Sequence, residues 1–376
     1  MKPLGLYVHW PFCARICPYC DFTVAKARAV DEKAWGDALV EDLERLSALT
    51  EPRPLASVYF GGGTPSLIPP RVAERIVEAA ERLFGIADGA EWTVEANPDD
   101  RARFSTLRNL EFRRLSLGVQ SFSDAELTFL GRNHDAADAQ GAVAEALALF
   151  DQVSLDFIYA LPDQSLADWE AALRHALSIG ANHLSLYQLT IEEGTAFGKA
   201  AARGSLIPLP DDRAADFYEL TQDLTAAAGL PAYEVSNHAV PGAEAVHNAL
   251  YWHDAEWLGI GPGAHGRLEK EGVRRASLGA RAPVRYAELD FVERMELEAL
   301  GAHAIALETL SSGLRPTRGL DLRRLGAHGS EIADQAEPLI SEGLMVLDGG
   351  RLAATPRGCL VLDQLTSFLA DGLPDD

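Results

Sequence analysis

Three of the four cysteines, Cys13, Cys17 and Cys20, lie within eight residues in Cys13-Ala-Arg-Ile-Cys17-Pro-Tyr-Cys20. They follow a short apolar run, Leu4 to Trp10, that reads as a strand. Thiolates this close repel one another unless a cation holds them, so the spacing calls for a metal or an iron–sulfur cluster. A disulfide framework suits neither the odd number nor a long chain whose start lacks the form of a secretory signal. A structural zinc site needs a fourth ligand, for which His9 is the nearest candidate, but there is no second Cys-x-x-Cys unit. A four-iron cluster on three thiolates leaves one iron free for another ligand.

The elements that position these cysteines are legible in the pattern. Five further strand-like runs follow the first: Ser57–Phe60, Glu91–Glu95, Arg114–Gln120, Val153–Tyr159 and His183–Thr190. Helical periodicity separates them, as in Trp35, Leu39, Leu43 and Leu46 after the cap Asp31. Strands alternating with helices predict a parallel sheet with right-handed crossovers. Six units fall short of the eight of a closed barrel, so the expected fold is α/β, a partial (β/α)6 barrel. From about Leu289 the pattern changes to helices and a hairpin around Asp348-Gly349-Gly350, as in a winged-helix-like module. The expected division is 1–288 for the barrel and its extension and 289–376 for this module. Cys359, in an apolar helix, reads as a small buried hydrophobe.

With 376 residues, 47% of them hydrophobic, the chain can bury a large core. The formal charge of −23 argues against nucleic acid as a partner and against stable attachment to anionic lipid. No apolar run approaches the roughly 20 residues of a membrane span. Clustered unpaired cysteines point to a cytoplasmic protein, with membrane association at most transient.

In parallel α/β barrels active sites gather at the carboxyl ends of the strands. The cysteines follow the first strand, Gly61-Gly62-Gly63 ends the second, Glu95 the third and Gln120 the fourth. Asp156 lies on the fifth, in the row Ser154, Asp156, Ile158. Each has a bland reading alone: a tight turn, a solvated loop carboxylate, a cap. Their convergence on one mouth favours a ligand site.

The motifs Cys-x3-Cys-x2-Cys, Gly61-Gly-Gly-Thr-Pro-Ser66, Glu95-Ala-Asn-Pro98, Ser116-Leu-Gly-Val-Gln-Ser-Phe122, Leu130-Gly-Arg-Asn-His134 and Leu155-Asp-Phe-Ile-Tyr-Ala-Leu-Pro162 occur in one order. That order resembles the oxygen-independent coproporphyrinogen oxidase family of the radical S-adenosylmethionine (radical SAM) superfamily. The resemblance implies that Cys13, Cys17 and Cys20 ligate a 4Fe–4S cluster with Tyr19 and Phe22 beside it. It implies SAM contacts at Tyr7, Gly62, Gly63, Thr64, Glu95, Gln120, Arg132 and Asp156, where Arg132 and Asp156 match a second SAM site of the oxidase.

Two branches of that family differ here. The oxidase resembles Cys-x3-Cys-x2-Cys-x-Cys, whereas this chain has Phe22 at the last position and starts its first strand at Leu4, with no room for the oxidase's N-terminal extension. His247-Asn248-Ala-Leu-Tyr251-Trp252 is similar to the His-Asn-x-x-Tyr-Trp motif of the HemW-type haem chaperones. An imidazole ligates haem iron, and Tyr and Trp offer flat faces to a porphyrin. The bland reading is a structural histidine beside two core aromatics. The chaperone branch implies haem contacts at His247, Asn248, Tyr251 and Trp252 and delivery of haem to respiratory membrane proteins. It is compatible with a homodimer. His238 and His265 rank below His247 as haem candidates. Coproporphyrinogen oxidation, or another radical SAM reaction, is the alternative.

Overall fold

The computed structural model describes residues 2–373. Eleven strands form one open sheet: β1 (Leu4–Trp10), β2 (Leu55–Gly62), β3 (Ile86–Ala96), β4 (Arg114–Gln120), β5 (Gln152–Tyr159), β6 (His183–Gln188), β7 (Asn237–Ala239), β8 (Glu256–Ile260), β9 (His265–Lys270), β10 (Val273–Gly279) and β11 (Met295–Ala299). The spatial order is β11-β10-β9-β8-β1-β2-β3-β4-β5-β6-β7. Pairing is parallel from β8 through β1 to β6 and antiparallel at both margins.

Helices α1 (Glu32–Ser47), α2 (Pro70–Phe84), α3 (Ala136–Leu149), α4 (Leu166–Ser178) and α5 (Asp211–Ala227) follow strands of the parallel run. Their apolar faces cover the sheet; on α1 the buried residues include Trp35, Leu39, Leu43 and Leu46. Asp31, Asp135 and Ser165 cap α1, α3 and α4 by accepting backbone N–H groups. A short helix, α6 (Val246–Trp252), leads into β8. The C-terminal module has its own apolar core around Leu310, Leu320, Ile332, Leu352 and Leu369. It comprises α7 (Ala302–Gly313), α8 (Gly329–Ser341), α9 (Leu362–Ala370) and a small antiparallel sheet of β12 (Leu320–Asp321), β13 (Met345–Asp348) and β14 (Arg351–Ala354).

The expected fold is present: the six predicted strands are β1–β6, the sheet is open, and the hairpin around Gly349-Gly350 is the wing. Two features were not foreseen. A seventh parallel strand, β8, lies on the other side of β1, and β9–β11 extend the sheet from it. Through its pairing with β10, β11 belongs to the main sheet. The short, partly polar strands β9–β11 carry too weak an alternation to be told from loops.

A buried ion pair ties the start of β11 to the main layer. Arg294 donates through Nε to Asp42 at 2.8 Å and through Nη2 to Glu41 at 2.7 Å, and Tyr286 Oη donates to Asp42 at 2.8 Å. Asp42 has no exposed surface, and burial raises its carboxyl above the ordinary range. Removing one partner of such a pair leaves an uncompensated charge. Arg294→Ala is expected to lower the unfolding free energy by about 3–5 kcal/mol in denaturant titration. Tyr286→Phe, which removes a single hydrogen bond, should cost about 1–3 kcal/mol.

Candidate functional site

A cavity of about 390 Å³ opens at the carboxyl ends of the parallel strands. Cys13, Cys17 and Cys20 line it together with Tyr19 and Phe22. Gly62, Gly63 and Thr64 enter from the end of β2, and Glu95, Gln120 and Asp156 from β3, β4 and β5. Arg132, on the loop before α3, completes the lining. The backbone is shaped for this approach: Gly62 has φ +114°, and a Cβ on Gly63 would stand 2.9 Å from Cys13 Sγ and 2.8 Å from the Pro11 carbonyl.

The donor set suits an iron–sulfur cluster. All three cysteines are free. Burial pushes the Cys13 thiol up to about 11, against a hydrogen bond from Thr64, and raises Cys20 as well. Thiols held neutral by desolvation gain most from a soft metal that takes them as thiolates. Arg132 Nη1 lies 3.3 Å from Cys17 Sγ, placing a fixed cation beside a would-be ligand. Arg132 also donates to Asn97 and to the Gly118 carbonyl, so it is held in place. Among the described residues no three His, Cys, Asp or Glu side chains converge on a point that could hold a single metal ion. His9, the fourth ligand of the zinc alternative, has both ring nitrogens engaged, with Tyr7 Oη at 3.1 Å and the Thr23 carbonyl at 3.0 Å.

Two carboxylates form the inner wall. Glu95 accepts from Tyr59 Oη at 2.7 Å and from the Gly62 N–H at 3.1 Å. Asp156 accepts from Ser116 Oγ at 2.9 Å. Burial pushes both up to about 7, and Asp156 adds to the shift of Glu95. A positive group placed beside them would favour their charged forms.

Below the carboxylates the sheet's inner face is sealed by α6. Glu91 accepts the N–H groups of Val246 and His247, each at 3.0 Å, and is itself held by Arg114 Nε at 2.8 Å. The His247 ring is 1% exposed. Its Nδ1 lies 2.8 Å from Ser57 Oγ and its Nε2 2.8 Å from Tyr251 Oη. It stacks on Tyr59 with centroids 4.9 Å apart, and Tyr7 packs against both rings. Burial pushes the imidazole down to about 3, so it is neutral. Both ring nitrogens of His247, expected as a haem contact, are thus engaged within the protein. Tyr7 belongs to the same layer, beneath the cavity rather than in its lining.

The remaining residues of the motif divide. Tyr251 and Trp252 line a second cavity between α6 and the C-terminal module. Asn248 hydrogen-bonds Tyr233 and is not part of that lining. His238 is buried in β7, and His265 sits at the exposed start of β9. Cys359, half-buried in the module, hydrogen-bonds Tyr218 of α5 and lines neither cavity. Sequence reasoning missed Ser57, Glu91 and Arg114, which fix α6. A polar residue at alternate strand positions was the only signal, and it does not name a partner.

The radical SAM superfamily model matches residues 7–176, and the HemN C-terminal domain model matches residues 300–361. The protein called heme chaperone HemW in Mycobacterium tuberculosis (strain ATCC 25618 / H37Rv) is 38% identical, over 98% of this chain and 95% of its own length. Heme chaperone HemW of Lactococcus lactis is 33% identical over 95% and 94%. The mouse protein named radical S-adenosyl methionine domain-containing protein 1, mitochondrial, is 36% identical over 99% and 88%. Among solved structures, coproporphyrinogen III oxidase (HemN) of Escherichia coli superposes with TM-score 0.79 at 21% identity, covering 98% of this chain and 90% of that one, a likeness of fold.

The open sheet and its cysteine-lined mouth are those of a radical SAM protein. Within that class the chain belongs to the HemW family. Membership in the superfamily implies a 4Fe–4S cluster and SAM. Cys13, Cys17 and Cys20 would hold such a cluster, which would supply one-electron reducing chemistry to a SAM bound beside it.

Cys17→Ser is expected to remove the brown chromophore of anaerobically reconstituted protein, because a hard hydroxyl binds iron poorly; retention of iron and labile sulfide at wild-type level would count against the ligand set. The raised carboxyl of Glu95 gives a second test. Its folded value of about 7 exceeds the ordinary 4.5, so the stability it contributes is lost as pH rises through about 7. In cofactor-free protein Glu95→Gln should therefore raise the melting temperature more at pH 8 than at pH 5. Equal shifts at the two pH values would contradict the assignment.

Proposed function

We propose that the protein is a haem chaperone. It carries a 4Fe–4S cluster on Cys13, Cys17 and Cys20 and binds SAM against Gly62, Gly63, Thr64, Glu95, Gln120, Arg132 and Asp156. It takes haem against α6 and delivers it to apo-acceptors, respiratory membrane proteins among them. The observation that carries this reading is the placement of the His247–Trp252 motif. One face of α6 closes the floor below the SAM site, while Tyr251 and Trp252 turn to a separate cavity. Relatives bearing the name heme chaperone are 33–39% identical to this chain. Among the described residues no helix is long and apolar enough to cross a membrane.

Within this reading His247 positions Tyr251 through the 2.8 Å bond between Nε2 and the phenol. Phe22 stands at the cysteine-lined cavity, 61% exposed, at the position of the last cysteine in the oxidase-like Cys-x3-Cys-x2-Cys-x-Cys pattern.

Anaerobic haem titration of the cluster-loaded protein, run beside a coproporphyrinogen III turnover assay, tests the function. Saturable haem binding without porphyrinogen turnover is expected; turnover without haem binding would replace the chaperone by the oxidase. His247→Ala should weaken haem binding while leaving the Soret maximum and the cluster unchanged. A displaced Soret maximum would instead make His247 an iron ligand, which requires α6 to shift on binding.

A further inference from the structure

The C-terminal module carries a basic patch on its surface, where it meets the end of α6. Arg318 lies on the loop between α7 and β12, Arg323 and Arg324 on the helical turn that follows β12, and Arg351 at the start of β14. Two carbonyl contacts gather them. Arg324 Nη1 donates to the Trp252 carbonyl at 3.3 Å, next to His253, and Arg351 Nη1 donates to the Gly319 carbonyl at 3.3 Å, next to Arg318. Arg318, Arg323, Arg351 and His253 are all exposed.

The acids of this region do not balance it. Asp321 is taken up by Arg323, through Nε at 2.9 Å and Nη2 at 2.6 Å, and Arg351 approaches it only at 3.7 Å. Asp254 is ion-paired to Arg274 and to Lys2. Asp348 stands opposite Arg351 in the β13–β14 ladder. Among the described residues Arg318 and Arg324 have no carboxylate within 4 Å. Desolvation and the charges of Arg318, Arg324 and Arg351 push the His253 imidazole down to about 4, so it stays neutral in their field. Four arginines thus face Asp321 and Asp348 alone, a local cationic surplus in a chain of net charge −23.

Guanidinium groups without carboxylates of their own suit incoming carboxylates, which they hold by charge-assisted and often bidentate hydrogen bonds. These cations are spread from β14 to the end of α6, so they match an extended segment with several acidic side chains better than a single small anion. A broad anionic surface, such as a lipid bilayer, also meets the negative charge of the rest of the chain. A short segment samples only the field within a Debye length, roughly 8 Å at physiological ionic strength. We propose that this patch docks an acidic segment of a partner protein, with Arg318 and Arg351 as its principal contacts. The segment would lie beside Trp252, so its link to haem transfer rests on the haem-chaperone reading, whereas the docking itself does not.

The test uses full-length, cluster-loaded protein without haem and three probes: a fluorescently labelled oligoglutamate peptide, its oligoglutamine counterpart, and phosphatidylglycerol vesicles. Wild-type protein should bind the glutamate peptide, more weakly as salt is raised, and neither of the other two. Arg318→Glu combined with Arg351→Glu should weaken the peptide on the order of tenfold, the scale of two reversed surface charges. Arg203→Glu combined with Arg213→Glu makes the same change of net charge at exposed sites elsewhere and should leave binding within about twofold of wild type. Melting curves certify the fold of each variant. Equal weakening by the two pairs, or equal affinity for the glutamate and glutamine peptides, would overturn the proposal. Binding to the vesicles with none to the peptide would overturn it in favour of a lipid site. None of these readouts involves haem, so their failure leaves the chaperone reading standing, and a failed haem titration leaves the docking surface standing.

Discussion

The structure depends on how an open sheet keeps water from its inner face. A closed barrel fills its lumen with its own side chains; this sheet stops short of closing and is plugged by α6. The plug is held by polar contacts made in the dry. Glu91 satisfies the first two N–H groups of the helix, Arg114 balances Glu91, and His247 spans Ser57 and Tyr251. Each group is costly to bury alone and less so as a set, because the charges meet partners and, Arg114 Nη1 apart, so do the donors. A neutral imidazole is the side chain that can donate at one edge and accept at the other, which explains a histidine at this position without invoking a metal.

That plug gives the two cavities a common wall. Glu95 bonds Tyr59, Tyr59 stacks on His247, and His247 bonds Tyr251, which faces the far side. The near cavity is lined by the buried carboxyls of Glu95 and Asp156 and by Arg132, and the far one by Arg267, Arg274 and Arg315 together with Glu308 and Asp363.

Much of this was legible in the chain. Alternation of short apolar runs with helical periodicity located β1–β6 to within a few residues, because each segment's burial is written in its own pattern. The convergence of Gly62, Glu95, Gln120 and Asp156 followed from parallel topology alone. What stayed hidden depends on contacts far apart in sequence. Ser57 meets His247 across 190 residues, and Arg53 meets Glu256 across 203. No local signal says that a strand serine will occupy an imidazole nitrogen. The edge strands β9–β11 escaped for a related reason, since pairing with neighbours rather than their own hydrophobicity makes them strands.

Hydrogen exchange of the cluster-loaded protein, compared with and without haem, tests the central claim most directly. The account predicts that haem slows exchange in α6, at the start of β8 and in α7, and leaves the cysteine segment 13–20 unchanged. Protection confined to the cysteine segment and the ends of β2–β5, with α6 and α7 unaffected, would contradict it.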